Sequence, residues 1–199
     1  MPPSAPPLIG HARTVQLLTQ LAQRQRLPAA TLLTGPPSIG KRAVAGALAR
    51  TLLGVSDAAA LKRHPDILSI EGSDQVGQRE VVVKLLERVH GRPLVAPVLV
   101  VMLLDTDRFS DAAAALLLKA IEDAPPFARF LLTAVSADRV SVTVRSRCLM
   151  RELTPVAHQE IVRGLGARGV SEVAAMEVAR LSGGRPGLAL RLAADAALL

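Results

Sequence analysis

The chain has 199 residues, half of them hydrophobic, a formal charge of +7 and a sequence pI near 10.9. No apolar run reaches the roughly 18 residues a membrane span needs, and Met1 to Pro7 shows neither the basic nor the apolar region of a secretory signal. Its one cysteine, Cys148, excludes an internal disulfide framework and a cysteine-built zinc site.

These features predict a protein of a bacterial-type cytoplasm, with no membrane partner and a disordered lead-in over residues 1–7. The length allows one sizeable core and a small second module. The positive charge invites a nucleic-acid reading, because Lys and Arg release counterions from phosphates. Against it, only lysines 41, 62, 84 and 119 accompany the abundant arginines, which looks like a compositional habit. Aromatics are 2%, with no Trp or Tyr, so a base-stacking platform is lacking. Weak backbone contact within a larger complex stays open.

Beyond the lead-in, Val15, Leu18 and Leu21 share one face of a helix predicted over Thr14 to Gln25, which Leu27-Pro28 closes. Ala30 to Thr34 is a short apolar strand, and Lys41 to Leu53 carries Val44, Leu48 and Leu52 at helical spacing. Between them lies Gly35-Pro-Pro-Ser-Ile-Gly40-Lys41-Arg42, which fits the phosphate-loop pattern G-x-x-x-x-G-K-[ST] except at its last position. In working nucleotide hydrolases the glycines let N–H groups wrap the phosphates, the Lys reaches the β/γ oxygens and the hydroxyl ligates Mg²⁺. Arg42 cannot ligate a cation. The competing reading is an ordinary tight turn before a helix.

Downstream, His64-Pro65 breaks the chain, Asp66 to Ile70 alternates as a strand, and Val76 to Val89 is helical. Val98 to Leu104 is continuously apolar, as a strand buried on both faces of a parallel sheet should be. It ends in Asp105-Thr106-Asp107. Asp105 stands where a second magnesium-organising carboxylate belongs, although a residue that merely ends a strand would look the same. The next position, usually Glu in hydrolysing members of such folds, is Thr106, a very poor base at neutral pH. Strand alternation would aim Asp107 elsewhere.

Ser110 and Asp111 can cap a helix running to Ile121 before Pro125-Pro126; Phe130 to Val135 is another strand and Cys148-Leu-Met150 a last one. Alternating strands and helices predict an α/β domain with a mainly parallel sheet over residues 8–153, its ligand at the carboxyl ends of the strands. From Thr154 the pattern becomes all-α: Val156 to Leu165, Glu172 to Leu181 and Gly187 to Ala197 read as three helices. This small helical module, 154–199, should lean on the first domain.

Leu8-Ile-Gly-His-Ala-Arg13, Leu27 to Gly35, His64-Pro-Asp-Ile67, Asp111 to Pro126 and Ser146-Arg147-Cys148 follow one another in an order that resembles bacterial clamp-loader subunits of the AAA+ superfamily. Within the DNA polymerase III clamp loader the likeness is greater to the delta-prime type than to the ATP-hydrolysing gamma/tau type. The resemblance implies an AAA+ P-loop domain followed by a helical lid. It implies that Arg147 is an arginine finger, inserted into the ATP site of a neighbouring subunit. It also implies gamma/tau and delta subunits as partners, with the sliding clamp and primed DNA reached through the complex.

Departures from the active pattern point the same way. Arg42 replaces Ser/Thr, Thr106 replaces Glu, the first sensor falls at nonpolar Ala134-Val135 between Thr133 and Ser136, and Pro186 stands where a second-sensor arginine belongs, with Arg185 one residue off. Gly35, Gly40, Lys41 and Asp105 would then form a degenerate site, with ATP bound weakly or not at all and no metal retained. The four-cysteine zinc module common before His64-Pro-Asp has no counterpart in Leu53 to Arg63, so no zinc is expected. The family's collar domain has no counterpart before Leu199, which leaves the chain a fragment or a short product. The expected role is a mostly silent scaffold; the alternatives are an active gamma/tau-type ATPase and a small-molecule P-loop kinase or transferase.

Overall fold

A computed structural model describes residues 8–72 and 78–196. The lead-in, the first two positions of the helix predicted from Val76, and Ala197 at the end of the last predicted helix lie outside the described residues. In chain order the first elements are α1 (Ala12–Gln23), β1 (Ala30–Thr34), α2 (Lys41–Leu53), α3 (Ala58–Arg63) and β2 (Ile67–Glu71). Next come α4 (Gln78–Val89), β3 (Leu99–Leu104), α5 (Asp111–Glu122), β4 (Ala128–Ala134), α6 (Val142–Arg145) and β5 (Cys148–Glu152). Helices α7 (His158–Gly166), α8 (Glu172–Ser182) and α9 (Pro186–Ala196) follow without a strand between them. No helix among the described residues is long and apolar enough to cross a membrane.

The strands form one five-stranded sheet in the order β2-β3-β4-β1-β5, and every neighbouring pair is parallel. Strands β1 and β3 are buried at every residue, because helices cover both faces of the sheet there. The edge strands β2 and β5 show solvent at alternate positions. On one face Leu32, Val101, Phe130 and Leu132 pack under α4 and α5; on the other Leu33, Val100, Met102 and Leu131 pack under α1 and α2. The period-2 alternation of side chains separates the two sets. Phe130 is fully buried, which contributes on the order of 2–3 kcal/mol by area.

A third core, built from Ile161 and Leu165 of α7, Ala175, Val178 and Ala179 of α8 and Ala189 of α9, includes Ile9 from the start of the chain. Gly164 permits that contact, since a Cβ there would lie 2.5 Å from the Ile9 side chain. Gly10, at φ +75°, likewise faces Val156 where a Cβ would meet a methyl at 2.4 Å. The residues before α1 thus fasten the helical region to the sheet domain.

The boundaries differ from expectation where local geometry intervenes. Helix α1 starts at Ala12 rather than Thr14, because Gly10 and His11 both turn through positive φ immediately before it. The stretch 58–63, for which no element was predicted, is helical because Asp57 Oδ1 accepts the Ala60 N–H at 2.7 Å as an N-cap. As predicted, Ser110 caps α5, its hydroxyl accepting the Ala113 N–H.

Candidate functional site

The phosphate-loop segment leaves the carboxyl end of β1 and opens α2. Gly35 and Gly40 have φ of +141° and +113°, values that L side chains rarely adopt. A Cβ on Gly35 would also stand 2.6 Å from the Leu153 carbonyl oxygen. The segment is a loop whose backbone needs glycine at these two positions, and it feeds a helix N-terminus, whose first-turn N–H groups have no intrahelical partner.

Several contacts from its own chain hold the loop, although Pro36 and Pro37 are exposed. Lys41 is 7% exposed and its Nζ donates to the carbonyls of Gly35 at 2.6 Å and Pro36 at 3.1 Å. Burial lowers the Lys41 pKa, and the nearby carboxylates of Asp105 and Asp107 oppose that shift. His11 Nε2 lies 2.8 Å from the Ile39 carbonyl oxygen. From the helical region, the Gly187 N–H donates to the Ser38 carbonyl at 2.8 Å and Arg191 Nη2 to the Ser38 hydroxyl at 2.8 Å.

At the end of β3 the strand stops at Leu104, and Asp105 adopts the left-handed conformation at φ +52° before a 3₁₀ turn over Thr106–Arg108. The strand has ended before Asp107, so the expectation that strand alternation aims it elsewhere is corrected: the residue sits in the turn and faces the end of β4. Both Asp105 and Asp107 act electrostatically on Lys41. The Asp105 N–H donates to Thr133 Oγ1 at 2.8 Å, Thr106 Oγ1 donates to the Thr133 carbonyl at 2.9 Å, and Asp107 Oδ1 accepts the Val135 N–H at 3.2 Å. The hydroxyls of Thr106 and Thr133 thus stitch β3 to β4.

Arg42 occupies the first turn of α2 where the pattern calls for a hydroxyl. Its guanidinium pairs with Glu71 at the end of β2 and lies 3.8 Å from Asp105 Oδ2. The arrangement does not suit magnesium, which needs several oxygens and meets here a cation among the candidate carboxylates. Among the described residues no group of three or more His, Cys, Asp or Glu is arranged to hold a metal ion.

Pro186 is the first residue of α9, a position that suits proline because its missing N–H has no helical partner there. Arg185 Nε turns back to the Ser182 carbonyl at 3.0 Å. Arg191 is the arginine of the helical region that reaches the loop. Sequence reasoning missed it, since the 153-residue separation from Ser38 has no local signature. It also missed the work of Asp66, whose buried carboxylate accepts the N–H groups of Leu94, Val95 and Ala96 at 2.6–2.8 Å. Burial alone would raise the Asp66 pKa, but those three bonds together hold it below the usual value.

Gly35, Gly40, Lys41 and Asp105 gather at the carboxyl end of the sheet; Arg147 does not join them. It immediately precedes Cys148, the β5 residue paired with Ala30 at the start of β1. The five residues of β1, at roughly 3.3 Å each, set the loop about 16 Å from that edge. Arg147 Nη2 pairs with Glu122 at 3.0 Å, and its Nη1 donates to the Thr143 carbonyl at 3.1 Å. Beside it is the free thiol of Cys148, whose pKa burial raises to about 11.

A parallel sheet in this order, a glycine loop at its carboxyl end and a helical C-terminal region define an α/β fold of the AAA+ class. Among solved structures, the Holliday junction branch migration motor RuvB of Thermotoga maritima superposes with a TM-score of 0.69 at 24% identity, covering 96% of this chain and 64% of that one. A DNA polymerase III gamma-subunit-related protein of the same organism gives 0.60 at 18% identity over 89% and 70%. The family described as DNA polymerase III, delta subunit, matches residues 10–157, and the chain belongs to that family. The delta-prime subunit of Escherichia coli DNA polymerase III is 36% identical over 136 residues, 65% of this chain and 40% of that protein. A replication factor C small subunit of Methanococcus maripaludis is 25% identical over 165 residues, 82% and 50% respectively. The chain spans half or less of the length of these relatives.

Proposed function

We propose that this chain is a delta-prime-like subunit of a DNA polymerase III clamp loader, silent as an ATPase, that presents Arg147 to ATP bound by a neighbouring subunit. The observation that carries this reading is the separation of Arg147 from its own phosphate loop by the length of β1. At that edge the arginine of the Ser-Arg-Cys segment lies away from its own loop, which favours a target on another molecule. A planar guanidinium there would stabilise charge on the transferring phosphoryl group.

The chain's own site supports silence. Its metal-ligating hydroxyl is replaced by Arg42, and the Thr106 hydroxyl that follows Asp105 is held by Thr133. ATP, if taken at all, would be held weakly by the loop N–H groups with Lys41, and zinc has no role. Partners in this reading are gamma/tau and delta subunits, with the sliding clamp and primed DNA engaged through the complex. The gamma/tau-type reading keeps only Lys41 and Asp105 in its favour.

Turnover measurements test the proposal. The purified chain with Mg-ATP should hydrolyse no faster than background yet alter turnover by an added gamma/tau-type partner. A Lys41-dependent turnover of the isolated chain near one per second would overturn it. Calorimetry on the wild type and Lys41→Ala measures any residual affinity, and equal values would show the loop to be vestigial.

A further inference from the structure

Three segments meet at the carboxyl edge of the sheet: the end of β2 at Glu71, the end of β3 at Leu104 just before Asp105, and the first turn of α2, which holds Arg42. The first two are forced close. The Gly72 N–H donates to the Leu104 carbonyl at 2.7 Å, and a Cβ on Gly72 would fall 2.1 Å from the Asp105 carbonyl oxygen. Only glycine lets the two chain ends approach so nearly. The approach brings two carboxylates within reach of one guanidinium, that of Arg42.

We infer that Arg42 is a resident cation, held between Glu71 and Asp105, that takes the place a divalent metal would have in this site. The inference rests on the reading of the loop as a degenerate nucleotide site. A guanidinium and a divalent ion repel, and each requires the same carboxylate oxygens, so they exclude one another. A planar, delocalised guanidinium pairs with one acid and lies near the other without the stringent octahedral geometry of magnesium. Any polyphosphate that enters the loop therefore meets Lys41 and Arg42 as its cations, and its binding is independent of divalent metal.

Removing the guanidinium should expose a metal site. Arg42→Thr leaves both carboxylates and adds a hydroxyl oxygen at the position the phosphate-loop pattern reserves for one, whereas Arg42→Lys keeps a positive charge. Manganese titration followed by electron paramagnetic resonance on the full 199-residue chain reads the result. The wild type and Arg42→Lys should leave the free-ion signal undiminished through the low millimolar range. Arg42→Thr should bind one ion per chain, and the added change Asp105→Asn should abolish that binding. The inference is overturned if the wild type binds manganese at a site that Asp105→Asn removes, or if Arg42→Thr, folded by circular dichroism, binds none. Should Arg42→Thr fail to fold, Arg42→Gln is titrated in its place: one ion bound supports the inference and none overturns it. The titration involves no partner subunit and no turnover, so its failure is distinct from failure of the finger assignment.

Discussion

Arg147 and Glu122 form an ion pair of 3.0 Å that joins the turn before β5 to the last residue of α5. Helix α5 starts six residues after Asp105, beyond the 3₁₀ turn, and ends at Glu122 beside the proposed finger. Both partners are substantially exposed, at 43% and 36%. The pair therefore orients the guanidinium and adds little to stability. Glu122→Gln and Arg147→Ala should each lower the unfolding free energy by less than about 1 kcal/mol in urea titrations. A loss several times larger would make this pair a fold element.

Asp66 should behave in the opposite way. Its carboxylate is fully buried and satisfies three consecutive N–H groups, so Asp66→Ala should cost about 3 kcal/mol or more by leaving those donors unpaired. Because the folded pKa lies below the unfolded value near 3.9, this stabilisation is present above that pH and is lost as pH falls through the folded pKa. Urea midpoints of the wild type should drop in that acidic window, and those of Asp66→Asn should drop less. Parallel pH profiles would remove the assignment.

The helical region grips the loop through Ser38, and Gly187 is the point of closest approach. A Cβ there would stand 2.9 Å from the Ser38 carbonyl oxygen, tighter than real contacts allow. Gly187→Ala should raise amide exchange over Pro186–Ala196 and in the loop around Ser38, while the buried strands β1 and β3 stay protected. Unchanged exchange in α9 would show that the Ser38 contact does not hold the region.

With its thiol pKa raised to about 11, Cys148 should react slowly with iodoacetamide at pH 8. The native rate should be at least about tenfold below that in urea, where the thiol recovers an ordinary pKa near 8.5. Equal rates would place the thiol in solvent.

The sheet was readable in the sequence because its signals are local. Leu99–Leu104 is apolar without interruption, and Ala30–Thr34 ends at a glycine, so both strands declare themselves within a few residues. The glycine loop between β1 and α2 was legible for the same reason, its residues being consecutive. What remained hidden depends on distant partners or on unusual backbone. The left-handed turn at Asp105 redirects Asp107, and nothing in Asp-Thr-Asp announces a φ of +52°. Arg42 finds Glu71 across 29 residues of chain, and Arg191 finds Ser38 across 153. Arg147 was named by motif alone; its location at the end of the sheet opposite Lys41 needed the parallel pairing of β1 with β5.

Clamp-stimulated ATP turnover by a loader reconstituted with Arg147→Ala tests the account most directly. The variant should fold, assemble and leave this chain's own nucleotide affinity unchanged, while turnover falls by at least about tenfold, because trans fingers contribute roughly 10³–10⁵ in rate where they are fully engaged. Arg147→Lys should restore little of it, since a point charge lacks the planar fork. Normal assembly with turnover and clamp loading at the wild-type rate would contradict the finger assignment.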